Sequence, residues 1–325
     1  MKETTTLASI LKKYWLTVGL IGTVSAVLAD PTDTLAAAGN WLAANRGADL
    51  VIFLIFLCSG LGLKIEQLRH GISDWPLLAL SLFLIFVLAP LLALALGRWP
   101  LPEGVRIGLY LVAIMPTTLS SGVVMTAAAG GNLAAALLIT IVANSLATIT
   151  VPLVFPLLFA GAIGSGPIQL ERLPMMANIA SLVVLPLAGG MLLRRPWAEF
   201  IERRGGVLGL VNQVLVLVMV ATACARSKPT ILTGLGSLPS IGLLAGSYHA
   251  LLVGAALGLA RLLRIGPGRR EAAIFMGGQK TLTLAVLLQL QFFPQFGEAL
   301  VFNVGHHLIH LVMDGFLVAA LNRES

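Results

Sequence analysis

The sequence predicts an all-α polytopic membrane protein: ten transmembrane helices in a 5+5 inverted repeat, with the fourth helix of each half broken. Three observations predict it. Ten apolar runs of spanning length follow one another along the chain. The fourth and the ninth are interrupted at their centres by small, polar, helix-weakening residues. Basic residues collect on alternate joints. The composition agrees: 58% of the 325 residues are hydrophobic and 11% are charged, with a mean hydropathy of +0.95. A water-soluble domain carries roughly 25% charged residues, so this chain is read as embedded in lipid.

The first five runs cover 14–29, 47–64, 76–97, 105–128 and 132–158; the second five cover 174–193, 207–225, 238–262, 271–292 and 298–321. A transmembrane helix needs roughly 17–25 apolar residues. The joints carry expected breakers: Asp30-Pro31-Thr32-Asp33, Trp99-Pro100-Leu101-Pro102, Gly164-Ser165-Gly166-Pro167 and Gly266-Pro267-Gly268. No soluble domain fits between the runs, so 1–325 reads as one integral-membrane domain, with five-helix repeats over 14–158 and 174–321. An odd number of spans per half makes the second half enter from the opposite face. Direct identity between the halves is weak, so the repeat rests on the pattern.

The two breaks are Pro116-Thr117-Thr118-Leu119-Ser120-Ser121-Gly122 and Gly277-Gly278-Gln279-Lys280-Thr281. Backbone leaves the helix at membrane depth only where it lines a cavity or packs on protein. A pair of interrupted helices in corresponding halves points to the binding site of a secondary transporter. If the halves are inverted repeats, the breaks meet near the bilayer midplane. Gln279 and Lys280 are then expected within reach of Ser120, Ser121 and Thr140, and the ammonium of Lys280 is expected to serve carbonyls released at the crossing.

Charge distribution orients the chain. With the N-terminus in the cytoplasm, fourteen Lys and Arg residues fall on the cytoplasmic side and six on the other; Lys280, inside a span, completes the 21. The net charge of +7 is thus read as topology, not as nucleic-acid affinity. Cys58 and Cys224 lie in or near apolar runs far apart in sequence, which suits two small buried residues better than a disulfide. A basic start with no A-x-A-like site is read as lacking a cleavable signal peptide.

Each polar residue in a span has a bland reading beside a functional one. Thr117, Thr118, Ser120 and Ser121 could mediate helix packing; clustered between Pro116 and Gly122, they fit an unwound, cavity-lining backbone better. Asn132 suits a cap for the fifth span. Thr140, Asn144 and Thr148 form one stripe of that span, and Asn144 and Thr148 could face the site or a neighbouring helix. Gln279 and Thr281 flank Lys280, whose placement mid-span costs about 3 kcal/mol on insertion scales and is functional by default. Lys280 could act as a tethered cation or bind an anionic substrate directly. Asn303, His307, His310 and Asp314 share one face of the last span. With His306 they form an H-H-x-x-H run that could ligate a metal, but no partner motif accompanies it, and His70 and His249 are isolated. A proton relay through His307 or Asp314 is the better functional reading. The roles of His306, His310 and Asp314 stay open at this point.

Several of these residues also carry a resemblance. MPTTLSSGVVMTAAAGGNLAAALLITIVANS resembles the fourth and fifth spans of the bile acid:sodium symporter superfamily. GLGLKIEQL (60–68) resembles the end of its second span. GGQKTLTLA (277–285), with His307 opening the polar part of the last span, is similar to the SBF-like branch. The resemblance implies a panel domain and a core domain in which spans 4 and 9 unwind and cross. It also implies Na⁺ ligands near that crossing: Ser121 and Gly122 fall where a Ser-Asn pair sits, and Thr140 and Gln279 fall on a liganding threonine and glutamine. Phe275 stands in place of the family's glutamate and Lys280 in place of an asparagine, so conventional Na⁺ sites are not expected.

The function expected from all this is alternating-access secondary transport of an organic anion or small amphipathic solute. The alternatives are a Na⁺-coupled bile-acid-type symporter, a membrane-embedded metalloenzyme, and a non-transporting regulator. No Walker-type motif occurs, and enzyme activity, a cofactor or a bound metal is not expected; Na⁺ or H⁺ is the candidate coupling ion. The expected partners are the small-molecule substrate and membrane lipid, with no nucleic acid, in a monomer or weak homodimer of the cell inner membrane. The basic-residue asymmetry predicts both termini in the cytoplasm. Reporters active only across the inner membrane, fused to either end, are expected to stay silent; activity there would reverse the orientation.

Overall fold

The computed structural model describes residues 7–63, 74–159 and 171–322, and all the regular structure among them is helical. In chain order the helices are α1 (Leu7–Ala29), α2 (Thr34–Ala44) and α3 (Gly47–Gly62). Next come α4 (Trp75–Leu96), α5 (Glu103–Ile114), α6 (Ser121–Ala128) and α7 (Leu133–Phe159). Then follow α8 (Arg172–Arg204), α9 (Gly206–Thr233) and α10 (Leu238–Leu262). The last three are α11 (Arg270–Gly278), α12 (Leu282–Phe292) and α13 (Gly297–Leu321). Seven elements among the described residues are long and apolar enough to cross a membrane, with Arg270–Phe292 counted as one; an eighth is added if α1 and α2, bent by 111° at their joint, form one span. Residues 160–170, His70, and residues 64–68 of the Gly60–Leu68 stretch lie outside the described residues.

Local chemistry sets the boundaries. Asp74 caps α4 by accepting from the Leu77 amide at 3.4 Å. Asn132 caps α7 by accepting from Ala135 at 3.0 Å. Two helices were not expected where they stand. The joint after Asp33 forms α2, and the basic joint after 193 stays helical through Arg204, bent at Trp197 behind Pro196. The second break is shorter than its glycines suggest. Gly277 and Gly278 remain in α11 because bare backbone lets neighbours close in: a Cβ at Gly277 would strike Leu84, and one at Gly278 would press on His249.

Proline shapes α4 and α8 in the same way. Leu84–Leu88 and Ala180–Val184 each form a π turn. The Ala89 amide reaches back to the Leu84 carbonyl, five residues away. The Ile85 carbonyl would next need the nitrogen of Pro90, which has no hydrogen. Pro186 stands in the same relation to Ser181.

α1, α2 and α3 lie against the long α8–α9 stretch, whereas α13 packs on α5 and α10, and α11 on α4, α6, α7 and α10. Arg270–Phe292 is 100% buried over its apolar window, against 28% for Gly206–Thr233. This broken span therefore sits in the middle of the protein, an environment in which a spanning helix tolerates a break. Leu157, Leu243 and Phe316, each more than 70% exposed, belong to the outer apolar surface. Outside the spans, Arg269 grips Asp74 through Nε at 2.6 Å and Nη2 at 2.5 Å, tying the start of α11 to the start of α4. That grip holds the Asp74 carboxyl below its usual range.

α3 and α8 approach most closely at two glycines. A Cβ at Gly60 would collide with the Leu187 carbonyl, and one at Gly190 with the Leu57 carbonyl. Backbone cannot yield as a side chain can, so Gly60→Val and Gly190→Val should each cost about 1–3 kcal/mol through overpacking. A lower melting temperature of the detergent-solubilised variants checks this, with Gly258→Val, where a Cβ meets open space, as the silent control.

Candidate functional site

The two breaks cross and bond to each other. α5 ends at Ile114 because Met115 precedes Pro116 and turns extended, with ψ 146°. α11 ends at Gly278, and Gln279 turns extended with ψ 144°. The Thr281 amide then donates to the Pro116 carbonyl at 3.0 Å, joining one unwound segment to the other. Gly122 makes the approach feasible: a Cβ there would meet Met276 Sδ at 2.8 Å.

The carbonyls released at this crossing find donors. The Lys280 ammonium donates to the carbonyls of Met115 at 3.1 Å, Ala113 at 3.4 Å and Ile85 at 2.9 Å. The first two belong to the severed end of α5; the third is the one orphaned by Pro90. An ammonium has three hydrogens, and all three are used. Its charge also complements the negative end of the α5 half-helix. Lys280 therefore serves backbone carbonyls, as expected of a lysine at the break. Asn144 completes the set by donating to the Thr117 carbonyl at 3.3 Å and to Thr140 at 2.8 Å.

Gln279 is the hub for side chains. Its Oε1 accepts from Thr118 at 2.9 Å and Ser121 at 2.7 Å, and its Nε2 donates to Asp314 Oδ2 at 2.7 Å. Thr118 also accepts from the Gly122 amide at 2.9 Å, which stabilises the first turn of α6. Thr140, expected beside Gln279, instead donates to the Ala136 carbonyl of its own helix at 2.9 Å; a threonine one turn on from a carbonyl has that partner ready. The Thr117 hydroxyl has no hydrogen-bond partner.

Thr118, Ser120, Ser121, Thr281, Thr283 and His307 line a cavity of about 70 Å³, closed on the far side by Asn212 and Gln213 of α9. Leu119, Ser120 and Asn212 also line a larger cavity of about 510 Å³, bounded by Cys58, Arg194 and Glu202. Arg194, buried at the rim, donates to the Leu61 carbonyl at 2.8 Å and to Glu202 at 3.3 Å. Residues at the starts of α6 and α12 both line the smaller cavity. Phe275 is fully buried and adds no oxygen.

Sequence reasoning left His249 isolated, but its Nε2 lies 2.9 Å from Asp314 Oδ1 with both side chains buried. A separation of 65 positions hides the pair; the only signal was a histidine within an apolar run. Thr283 was also missed; it shares a 3.2 Å hydrogen bond with Thr281. His307 Nδ1 lies 3.0 Å from His310 Nε2. Asn303, on the same stripe, has neither amide atom bonded. No group of three or more metal-ligating side chains comes together among the described residues.

Gln279→Leu removes both halves of the hub. The Asp314 carboxylate loses a donor and two hydroxyls lose their acceptor, at roughly 1–3 kcal/mol for each stranded group. A marked fall in melting temperature is expected, and Gln279→Asn, which keeps the amide on a shorter stem, should recover part of it.

Residues 14–323 match the SBF-like CPA transporter family. The chain is 28% identical over 281 residues, 81% of its length, to the probable sodium/metabolite cotransporter BASS4, chloroplastic, of Arabidopsis thaliana. It is 31% identical over 228 residues, 68% of its length, to the sodium/bile acid cotransporter 7-A of Xenopus laevis. It spans 63% and 64% of those two relatives, and 76% of a BASS4 protein of Oryza sativa subsp. indica at 27% identity. With α11 and α12 broken apart, enclosed and bonded to the break between α5 and α6, the chain belongs to the SBF-like CPA transporter family, within the bile acid:sodium symporter superfamily.

Proposed function

We propose that this protein is a secondary transporter of an organic anion or small amphipathic solute, working by alternating access without conventional Na⁺ sites. The observation that carries the reading is the crossing itself: two severed helices bonded at Thr281–Pro116, with a lysine ammonium saturated by carbonyls of α4 and α5. The ten spans form a 5+5 inverted repeat over 14–158 and 174–321. α1, α3, α8 and α9 act as the panel, and the remaining spans as the core that carries the crossing. The packing of α1 to α3 on the α8–α9 stretch supports this division.

The substrate enters the larger cavity between panel and core, whose size falls within the range of small-molecule sites. Its polar end reaches Ser120, Ser121, Thr281 and His307. The N-termini of α6 and α12 favour an anion there. Thr118 and Asn144 hold the unwound segments in shape. Under the cytoplasmic placement of both termini in the cell inner membrane, the end of α3 and Arg194 lie on the cytoplasmic side, so the large cavity opens inward. No nucleic acid takes part, and the unit is a monomer or weak homodimer.

Lys280 acts as a tethered cation. Its hydrogens are occupied, so it contacts neither substrate nor a mobile ion in this arrangement; it supplies the positive charge that Na⁺ would otherwise bring to the crossing. Some relatives are named sodium/bile acid cotransporters, and that sets up the test. At fixed ionic strength, Na⁺ and K⁺ should give the wild-type protein the same melting temperature. Lys280→Ala should fold with a lower one, lose solute uptake in proteoliposomes, and respond to Na⁺ or to added alkylammonium. Specific Na⁺ stabilisation of the wild type would overturn the tethered-cation reading. Full uptake by Lys280→Ala would remove Lys280 from the mechanism.

A further inference from the structure

Four titratable side chains run from the small cavity into the core, and the crossing does not need them for its backbone. His307 lines the cavity. Its Nδ1 meets His310 Nε2 at 3.0 Å. His310 Nδ1 lies 3.9 Å from Asp314 Oδ2 and is buried with no hydrogen-bond partner. Asp314 Oδ1 meets His249 Nε2 at 2.9 Å. A buried, unpaired imidazole nitrogen is costly, and this one points at the only gap in an otherwise bonded row.

We infer that His307, His310 and Asp314 form a proton path, with His249 bonded to the other carboxylate oxygen, and that the proposed transport is coupled to H⁺ bound at Asp314. This rests on the transport reading above. A hydronium in the cavity gives its proton to the outer nitrogen of His307. His307 releases the proton on Nδ1 to His310 Nε2, and His310 releases the one on its own Nδ1 to Asp314 Oδ2, the 3.9 Å step closing by rotation of the ring and carboxylate. The net change is one proton bound and one carboxylate neutralised; reversal of the same steps restores both rings.

The surroundings make that proton consequential. His306, on α13 itself, stands with its ring 5.9 Å from His249 and 5.4 Å from His310. α10 adds Tyr248, whose ring lies 5.6 Å from His306. The joint of α11 and α12 adds Lys280, next to Gln279. α6 and α12 contain no ionisable residue, and α5 carries Glu103 and Arg106 in its first turn, where Gly104 meets Glu298 at the other end of α13. With the histidines neutral, Lys280 and Asp314 balance. A proton leaves the site with a net positive charge, which favours an anion in the cavity that His307 lines. Gln279 conveys the change, because the amide that binds Asp314 through Nε2 holds Thr118 and Ser121 of the other broken helix through Oε1.

Infrared difference spectroscopy of the purified, lipid-reconstituted protein, titrated between about pH 8 and pH 5, tests the site without any substrate. A protonated-carboxyl band should grow in as the pH falls. It should be lost in Asp314→Asn and displaced in Asp314→Glu, which keeps the group if the first variant folds poorly. After a pH jump it should rise more slowly in His307→Gln and His310→Gln. A spectrum that Asp314→Asn leaves unchanged overturns the inference. Uptake of a panel of labelled organic anions, cholate and smaller carboxylates among them, driven by a pH gradient without Na⁺, then tests coupling. Uptake that follows Na⁺ and ignores the pH gradient overturns H⁺ coupling and leaves transport standing. A titrating Asp314 with no uptake of any anion overturns the transport reading on which the coupling rests.

Discussion

Everything at the centre of this molecule depends on one constraint: polar backbone removed from a helix inside a bilayer must find partners within the protein. The Lys280 ammonium meets that constraint for three carbonyls at once. One comes from α4, and two come from the severed end of α5, so a single side chain at the joint of α11 and α12 ties both helices. The partnership explains why a charge is tolerated at that depth. The cost of burying an ammonium is offset by three strong acceptors and by the negative end of a half-helix. Without the lysine the same carbonyls would need a mobile cation or a rewound helix.

The second organising element is Gln279. An amide offers a donor and an acceptor on one planar group, and here each faces a different part of the site. Its carbonyl side holds the hydroxyls of Thr118 and Ser121, and its nitrogen holds the carboxylate of Asp314 on α13. Lys280 and Gln279 are neighbours in sequence, yet they serve opposite needs. Lys280 satisfies backbone that can no longer satisfy itself, whereas Gln279 links side chains whose charge state can change.

Much of this was legible in the sequence, because membranes impose strong patterns. The spans appear as apolar runs, the breaks as Pro116 with its hydroxyls and as Gln279-Lys280-Thr281, and the capping role of Asn132 as a side-chain oxygen ahead of an apolar run. What stayed hidden has physical reasons. Hydropathy does not separate α2 from a loop, since a short helix at the joint of two spans and an irregular turn have similar composition. The glycines of α11 read as helix breakers although they serve packing, because the same missing side chain does both. The partnership of His249 and Asp314 depends on how α10 leans on α13, which no spacing along the chain encodes. The π turn in α4 was readable in principle: Pro90 withholds the hydrogen that the Ile85 carbonyl needs. Its importance emerges only when Lys280 arrives from 195 residues away to supply a replacement.

The enclosure of the Arg270–Phe292 span bears on how the protein is made. Its mean hydropathy of 1.3 is the lowest of the seven long spans, and it carries a lysine near its middle. Such a segment has little tendency to leave the translocation machinery for lipid by itself. It is synthesised late, after most of the helices that surround it; only α13, which bonds Gln279 through Asp314, follows. The carbonyls that receive its ammonium belong to α4 and α5, already in place when α11 emerges from the ribosome. The order of elements along the chain thus doubles as an order of assembly, in which the earlier helices form a polar berth for the one that could not settle in the membrane alone.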